Sequence, residues 1–189
     1  MRITPLSCVI LALTAASASA QTTYVGPWLP RPSIGVGLGV FGAITNNGSG
    51  NRIRSGTFEI PLADKARIRI EAGRTTLPIL PPGLMPITVR RVDTAHLERA
   101  TISVAGLMRP GAPVTPYVGA GVIFQRATFD HAPKSRMSAG LHVHAGAEVM
   151  ALDTWTVDVE VGFQGFGRDP WYQRNLVTGE AVIRLKLGL

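Results

Sequence analysis

The chain has 189 residues, of which 46% are hydrophobic and 16% charged, with a formal net charge of +7. This length suits one domain, and the single cysteine excludes an intramolecular disulfide. No run after the N-terminal segment reaches the roughly 18 apolar residues of a membrane helix. A role inside a bilayer therefore requires a closed barrel.

The N-terminal segment has the features of a secretory signal. A positive charge follows the first methionine, residues 6–15 are apolar, and Ala18-Ser19-Ala20 fits the small-x-small cleavage rule. We predict a signal peptide over 1–20, because the apolar stretch is short for a retained membrane anchor. An exported chain rarely meets nucleic acid, so the positive charge favours phosphate-rich lipid headgroups as the acidic partner.

The rest of the chain alternates apolar and polar residues with a period of two. Ile68 and Ile70, for example, alternate with Arg67, Arg69 and Glu71. After an extended periplasmic lead-in over 21–32, this pattern predicts eight strands. They lie at 33–42, 52–62, 66–74, 97–108, 114–125, 138–149, 154–165 and 179–189.

The connections indicate how these strands are arranged. Tight turns alternate with longer segments near 43–51, 75–96, 126–137 and 166–178. Short turns at one end and long loops at the other are typical of outer-membrane barrels. We therefore predict an all-β fold over 33–189, an eight-stranded antiparallel up-and-down transmembrane β-barrel with short periplasmic turns and long external loops.

Charge decides which face of each strand points inward. An Arg or Lys that faces lipid at the bilayer midplane costs about 2–4 kcal/mol, so the charged set must face the lumen. Glu59 then comes opposite Arg67 or Arg69, depending on register. An eight-stranded interior is nearly filled by side chains, and we expect a plugged, charge-networked lumen. Its predicted members are Glu59, Arg67, Arg69, Glu71, Arg99, His142, His144, Glu148, Asp158, Glu160, Arg184 and Lys186.

The opposite phase predicts the lipid-facing residues. They include Ile34, Val36, Leu38, Val40, Phe58, Ile60, Ile102, Val104, Val118, Val122, Val143, Ile183, Leu185 and Leu187. Candidates for the aromatic girdles at the membrane interfaces are Trp28, Tyr117, Phe124, Trp155, Phe163, Trp171 and Tyr172. A soluble lipocalin-like barrel is the alternative fold, but it would have apolar residues inside.

The inward histidines allow more than one interpretation. His142 and His144 face the same way as nearby carboxylates, so two ligands of a metal site are conceivable, but three or four must converge. A hydrogen-bonded network is favoured, and no metal or cofactor is predicted. A hydrolase would need Ser, His and an acid at the membrane interface. Ser103 faces inward and Ser138 lies at a rim, so we predict no enzymatic activity. A narrow, weakly conducting channel is the alternative function.

The external loops contain the remaining candidate contacts. The segment Leu77–Ile87 is apolar and proline-rich, which indicates a stiff loop, either a lid over the barrel mouth or a partner site. We expect several loop residues to contact lipopolysaccharide phosphates or an extracellular partner. Ordinary solvated charge fits the basic residues equally well, and interfacial anchoring is the simpler interpretation of Trp171 and Tyr172. The candidate loop residues are Arg90, Arg91, Lys134, Arg136, Arg168, Trp171, Tyr172 and Arg174.

Two stretches carry a family resemblance. Pro116–Val122 (PYVGAGV) and Gly140–Glu148 (GLHVHAGAE) resemble the small outer-membrane β-barrel family, which includes the OmpA membrane domain and OmpX-like proteins. The resemblance implies insertion by the barrel-assembly machinery and roles in envelope integrity, adhesion or defence. The last predicted strand alternates as the family's assembly signal does, but it ends in Leu189 rather than Phe.

Overall fold

A computed structural model describes residues 31–43, 51–79, 93–130, 135–150, 152, 154–168 and 175–189. Eight strands form one closed antiparallel barrel in which each pairs with its chain neighbours and β1 pairs with β8. Their bounds are β1 Ser33–Ala43, β2 Asn51–Ala63, β3 Ala66–Ile79, β4 Asp93–Leu107, β5 Val114–Phe129, β6 Arg136–Met150, β7 Trp155–Arg168 and β8 Asn175–Gly188. The predicted fold is confirmed.

The described residues include no helix that is long and apolar enough to cross a membrane.

The strands are longer than the alternation predicts at one end of the barrel. This end, which we call the loop end, holds the connections over 44–50, 80–92, 130–135 and 169–174; the other, the terminal end, holds Ser33 and Gly188. β3 continues to Ile79, so Pro78 lies in a strand, opposite Thr94. At Pro78 the ladder runs to β4 alone, because the pairing with β2 stops at Thr75, and such an edge tolerates proline.

The register assigns each strand face. Glu59 lies opposite Arg69 and not Arg67. The predicted lipid-facing residues point outward, with Val36 69% and Ile183 60% exposed. The signal peptide, most of the lead-in, Trp28, Trp171, Tyr172 and much of the 75–96 segment lie outside the described residues.

One aromatic prediction is wrong. Tyr117 was expected in an interfacial girdle, but its side chain is only 1% exposed and points into the barrel. The neighbouring Val118 points outward, so strand alternation requires Tyr117 to point inward. Phe124, Trp155 and Phe163 are exposed on the outside, as a girdle requires.

Glycines provide interior space where strands carry large side chains. A Cβ added to Gly121 would lie 2.5 Å from the Cα of Ser103 on β4. A Cβ added to Gly119 would collide with the imidazole of His144 on β6. Both glycines lie on β5, so this strand allows its neighbours to approach closely and a large ring to cross the interior.

Gly121→Ala should therefore destabilise the barrel, and Gly165→Ala should not. The added methyl of Gly121→Ala meets β4 backbone, and overpacking of this kind costs about 1–3 kcal/mol. Among the described residues, no atom outside its two chain neighbours lies within 4 Å of a Cβ added to Gly165. The measurement is the midpoint of denaturant unfolding after refolding in detergent micelles. Equal midpoints for the two variants would contradict the close approach of β4 and β5.

Candidate functional site

The interior of the barrel contains most of the buried ionisable side chains. Among the described residues these are the carboxylates Glu59, Glu71, Glu148, Asp158, Glu160 and Glu180, the cations Arg67, Arg69, Arg99, Arg184 and Lys186, and the histidines His142 and His144. Carboxylates and cations are nearly equal in number. We call this set the lumen network. All twelve residues that the sequence suggested for the lumen lie in it, and it also includes Glu180.

Glu160 on β7 is at the centre of the lumen network. Its Oε2 accepts a hydrogen bond from the Tyr117 hydroxyl (2.7 Å) and lies 2.7 Å from Nδ1 of His144. Its Oε1 accepts from Nη2 of Arg184 (2.9 Å), and Arg69 donates to its Oε2. Side chains from β3, β5, β6 and β8 thus converge on one carboxylate. Removal of this carboxylate would leave several buried donors without an acceptor.

Arg69 on β3 is a second centre of the lumen network. Its Nε donates to Glu59 (2.6 Å) and its Nη2 to Asp158 (3.2 Å). The guanidinium lies 5.0 Å from the ring centroid of Tyr117, and that of Arg67 lies at the same distance. Tyr117 therefore holds two cations by cation–π contact while its hydroxyl lies 2.6 Å from Asp158.

Towards the terminal end, two cations share two carboxylates. Nη1 of Arg67 lies 2.6 Å from Glu148 and 3.1 Å from Glu59. Nζ of Lys186 pairs with both carboxylates as well, at 3.2 Å from Glu59. Each charge in this group has at least two partners, an arrangement that keeps buried charges compensated.

Towards the loop end, a second group continues the lumen network. Arg184 donates to Glu71 (2.6 Å), and Arg99 pairs with Glu71 at 3.5 Å and with Glu180. Nε2 of His142 lies 3.4 Å from Glu180. The sequence prediction of the lumen residues omits Glu180, although this residue lies within the predicted strand 179–189 and has the same phase as Arg184 on β8.

The two interior histidines lie side by side. Their ring centroids are 4.9 Å apart, with the planes inclined by 18°. A Cβ on Gly162 of β7 would lie 2.8 Å from Nε2 of His142, so this glycine makes room for the ring. Each imidazole lies next to a carboxylate, His144 next to Glu160 and His142 next to Glu180.

Two clusters have ligand atoms close enough together for a metal ion, each set within 4.8 Å. They are His142, Glu160 and Glu180, and Glu59, Glu148 and Asp158. In both clusters the carboxylates are already paired with arginine or lysine, for example Glu180 with Arg99 and Glu148 with Lys186. A metal ion would have to displace these cations or lie beside them, so the donor set suits ion pairing better than metal binding.

An apolar layer lies inside the barrel towards the loop end, on the loop side of most of the lumen network. Its described members are Phe41, Ile53, Ala95, Leu97, Ile123, Ala127, Phe129, Phe166 and Val182, all buried. The guanidinium of Arg99 lies 5.5 Å from the ring centroid of Phe41, where the two layers meet. Sequence reasoning missed the apolar layer because it followed the charged residues, although the same alternation places these side chains inside.

The predicted external contacts are only partly described. Arg136 is the first residue of β6 and is exposed, and Arg168 is the last residue of β7. Arg90, Arg91, Lys134, Trp171, Tyr172 and Arg174 lie outside the described residues.

Comparison with solved structures identifies the same architecture elsewhere. The chain is similar to Neisserial surface protein A (TM-score 0.64, 15% identity, 84% of this chain and 96% of that one). It is also similar to the N-terminal β-barrel domain of OprF from Pseudomonas aeruginosa (TM-score 0.52, 11% identity, 82% and 97%). The chain has the fold of the small eight-stranded outer-membrane β-barrels. No protein-family model matches it, and no curated protein matches it significantly.

Glu160→Gln should destabilise the barrel far more than Glu98→Gln. Breaking a buried pair leaves uncompensated charge and costs about 3–5 kcal/mol. Glu98 pairs with Arg74 at 3.0 Å on the exposed outer face, where such a pair contributes about 0–1 kcal/mol. Both variants lose one carboxylate and keep the side-chain shape. Their free energies of unfolding are measured by urea titration in detergent micelles, and equal losses would contradict the central place of Glu160.

Proposed function

We propose that this chain is a non-enzymatic outer-membrane protein, exported by its N-terminal signal peptide, whose barrel serves the structure of the envelope and presents external loops. The observation that carries this proposal is the inverted distribution of side chains. Large apolar side chains are exposed on the outer face of every strand, and a large set of charged side chains is buried inside. A soluble protein has the reverse arrangement.

The outer surface supports a bilayer environment. Leu38, Leu141 and Ile183 are each 60% or more exposed, on β1, β6 and β8. Large apolar side chains are also exposed on β2, β3, β4, β5 and β7. Soluble monomers rarely expose contiguous apolar patches beyond a few hundred Å², and hydrocarbon is the solvent that such a continuous belt suits.

The interior supports a plugged lumen and counts against a lipocalin-like ligand barrel. A lipocalin-like barrel holds a small ligand in an apolar interior. Here charged side chains of the lumen network are buried in the interior, and the apolar layer packs beside them on the loop side. Water and ions would have to pass both a set of paired charges and a set of packed apolar side chains.

The serine positions support the absence of lipid hydrolysis. Ser103 is 2% exposed inside the barrel, and its hydroxyl has no hydrogen-bond partner among the described residues. A serine nucleophile needs an adjacent base and access to its substrate. Ser138 is half-buried near the start of β6, and no base contacts it within the described part of the chain.

Cell fractionation with electrophoresis tests the proposed location. The mature protein should be recovered with the outer membrane and should migrate differently in SDS before and after boiling, because a closed barrel resists SDS until it is heated. A matched fractionation of a known periplasmic protein gives the control. Recovery in the soluble periplasm without a mobility shift would contradict the membrane assignment.

A narrow channel is the second candidate, and one observation favours it. Nε and Nη2 of Arg67, Nε and Nη1 of Arg99, and Nε of Arg184 have no hydrogen-bond partner among the described residues. These donors would allow salt bridges to exchange partners along a polar path.

Planar-bilayer recordings separate the two candidates. A plugged barrel should show no steady conductance, and Phe41→Ala should leave the bilayer silent because the lumen network remains. Openings of the unmodified protein that change in conductance with Arg99→Gln would support the channel instead.

A further inference from the structure

The outside of the barrel carries a row of charged residues at its loop end. In the strand register, Arg54 on β2 lies opposite Arg74 on β3, Arg74 lies opposite Glu98 on β4, and Glu98 lies opposite Arg126 on β5. All four side chains are exposed on the outer face. We call these four residues the arginine row. It crosses four neighbouring strands without interruption.

The arginine row has more positive charge than its own carboxylate can compensate. Arg74 pairs with Glu98 at 3.0 Å, but the two side chains are 81% and 47% exposed, so this pair contributes little. Arg54 faces the like charge of Arg74, an unfavourable arrangement in a sheet. Neither Arg54 nor Arg126 makes an ion pair within the described part of the chain. Arg52 adds a further exposed cation on the same face of β2.

The arginine row lies where the apolar outer surface ends. On β2, Phe58 and Ile60 are exposed nearer the terminal end, and on β3 Ile70 is exposed below Arg74. Beyond the row, the chain passes into the connections of the loop end. The penalty for an arginine that faces lipid falls to almost nothing at the interface. The row therefore lies at the level of headgroups and not of hydrocarbon.

The arginine row occupies one side of the barrel. On the outer faces of β7, β8 and β1, the positions whose side chains the structure describes carry no charge. Towards the loop end these positions include Phe163, Gly165, Gly179, Ala181 and Val40. Charge that served only to solvate the rim would be expected around the whole circumference. The one-sided arrangement is instead that of a binding patch.

We propose that the arginine row binds the phosphate groups of an outer-leaflet glycolipid, lipopolysaccharide. Guanidinium groups bind phosphate oxygens through paired hydrogen bonds. Arg54 and Arg74, on adjacent strands about 5 Å apart, can hold one phosphate between them, which relieves their repulsion. Arg126 lies two strand spacings from Arg74, about 10 Å, and can reach a second phosphate. This inference rests on the proposed outer-membrane location.

The test compares two sets of three substitutions in nanodiscs. Arg54, Arg74 and Arg126 are replaced by Gln in one variant, and Arg31, Lys65 and Arg109 by Gln in the control. The control residues are exposed near the terminal end and change the net charge equally. The mature protein is reconstituted in phosphatidylcholine alone, with lipopolysaccharide, with dephosphorylated lipopolysaccharide, or with phosphatidylglycerol. The readout is the temperature at which the heat-dependent shift in SDS mobility occurs.

Lipopolysaccharide should raise this temperature for the wild type and the control, since a ligand that binds only the folded state stabilises it. The arginine-row variant should lose most of that increase. In phosphatidylcholine alone it should match or exceed the wild type, because like charges have been removed. The variant would thus have a lower transition temperature than the wild type with lipopolysaccharide and an equal or higher one in phosphatidylcholine. Merely structural arginines would not give this combination.

Three results would overturn the inference. They are an equal lipopolysaccharide response in both variants, an unchanged response after dephosphorylation, and an equal response to phosphatidylglycerol, which would indicate attraction to any anionic surface. Failure of the proposed function is distinguishable, because the wild type would then show no heat-dependent mobility shift in any nanodisc.

Discussion

The convergence of four strands on Glu160 is the interaction on which the arrangement of the barrel depends. Side chains of a strand alternate between faces, so a slip by one residue would move an entire charged set into lipid. The same slip would also remove Arg69, His144 or Arg184 from their carboxylate partners. Both penalties disfavour the slipped register. Buried ion pairs are weak evidence for stability, and we infer that their main contribution here is to select one register.

The interior combines two kinds of packing that serve different ends of the barrel. Large charged side chains cross the interior where glycines such as Gly119 and Gly121 leave space for them. Beyond Arg99 the apolar layer replaces charge with packed Phe, Ile and Leu side chains. Most of the ion-paired charges of the lumen network lie on the terminal side of this layer. This arrangement accounts for the low exposure of Arg184 and Asp158, both 0%.

Alternation along the strands, together with the alternation of short turns and long connections, was sufficient to predict the fold and the direction of most side chains. The prediction failed for Tyr117, because its aromatic character was given more weight than its inward position in the strand alternation. Glu180 has the same phase as Arg184 and lies within the strand predicted over 179–189, so alternation applied to every charged residue of that strand would have included it. The longer strands, such as β3 to Ile79, depend on ladder partners on β4 that a single strand's sequence does not contain.

Register between strands could not be predicted, because alternation is unchanged by a shift of two residues. That choice couples the two faces of the barrel. Pairing Glu59 with Arg69 inside places Arg54 opposite Arg74 outside, whereas pairing Glu59 with Arg67 would place Arg54 opposite Ala72. Attraction between buried charges exceeds repulsion between exposed ones, because the interior screens charge less than the interface does. The juxtaposed arginines on the outer face are therefore tolerated in the register that places Arg69 opposite Glu59.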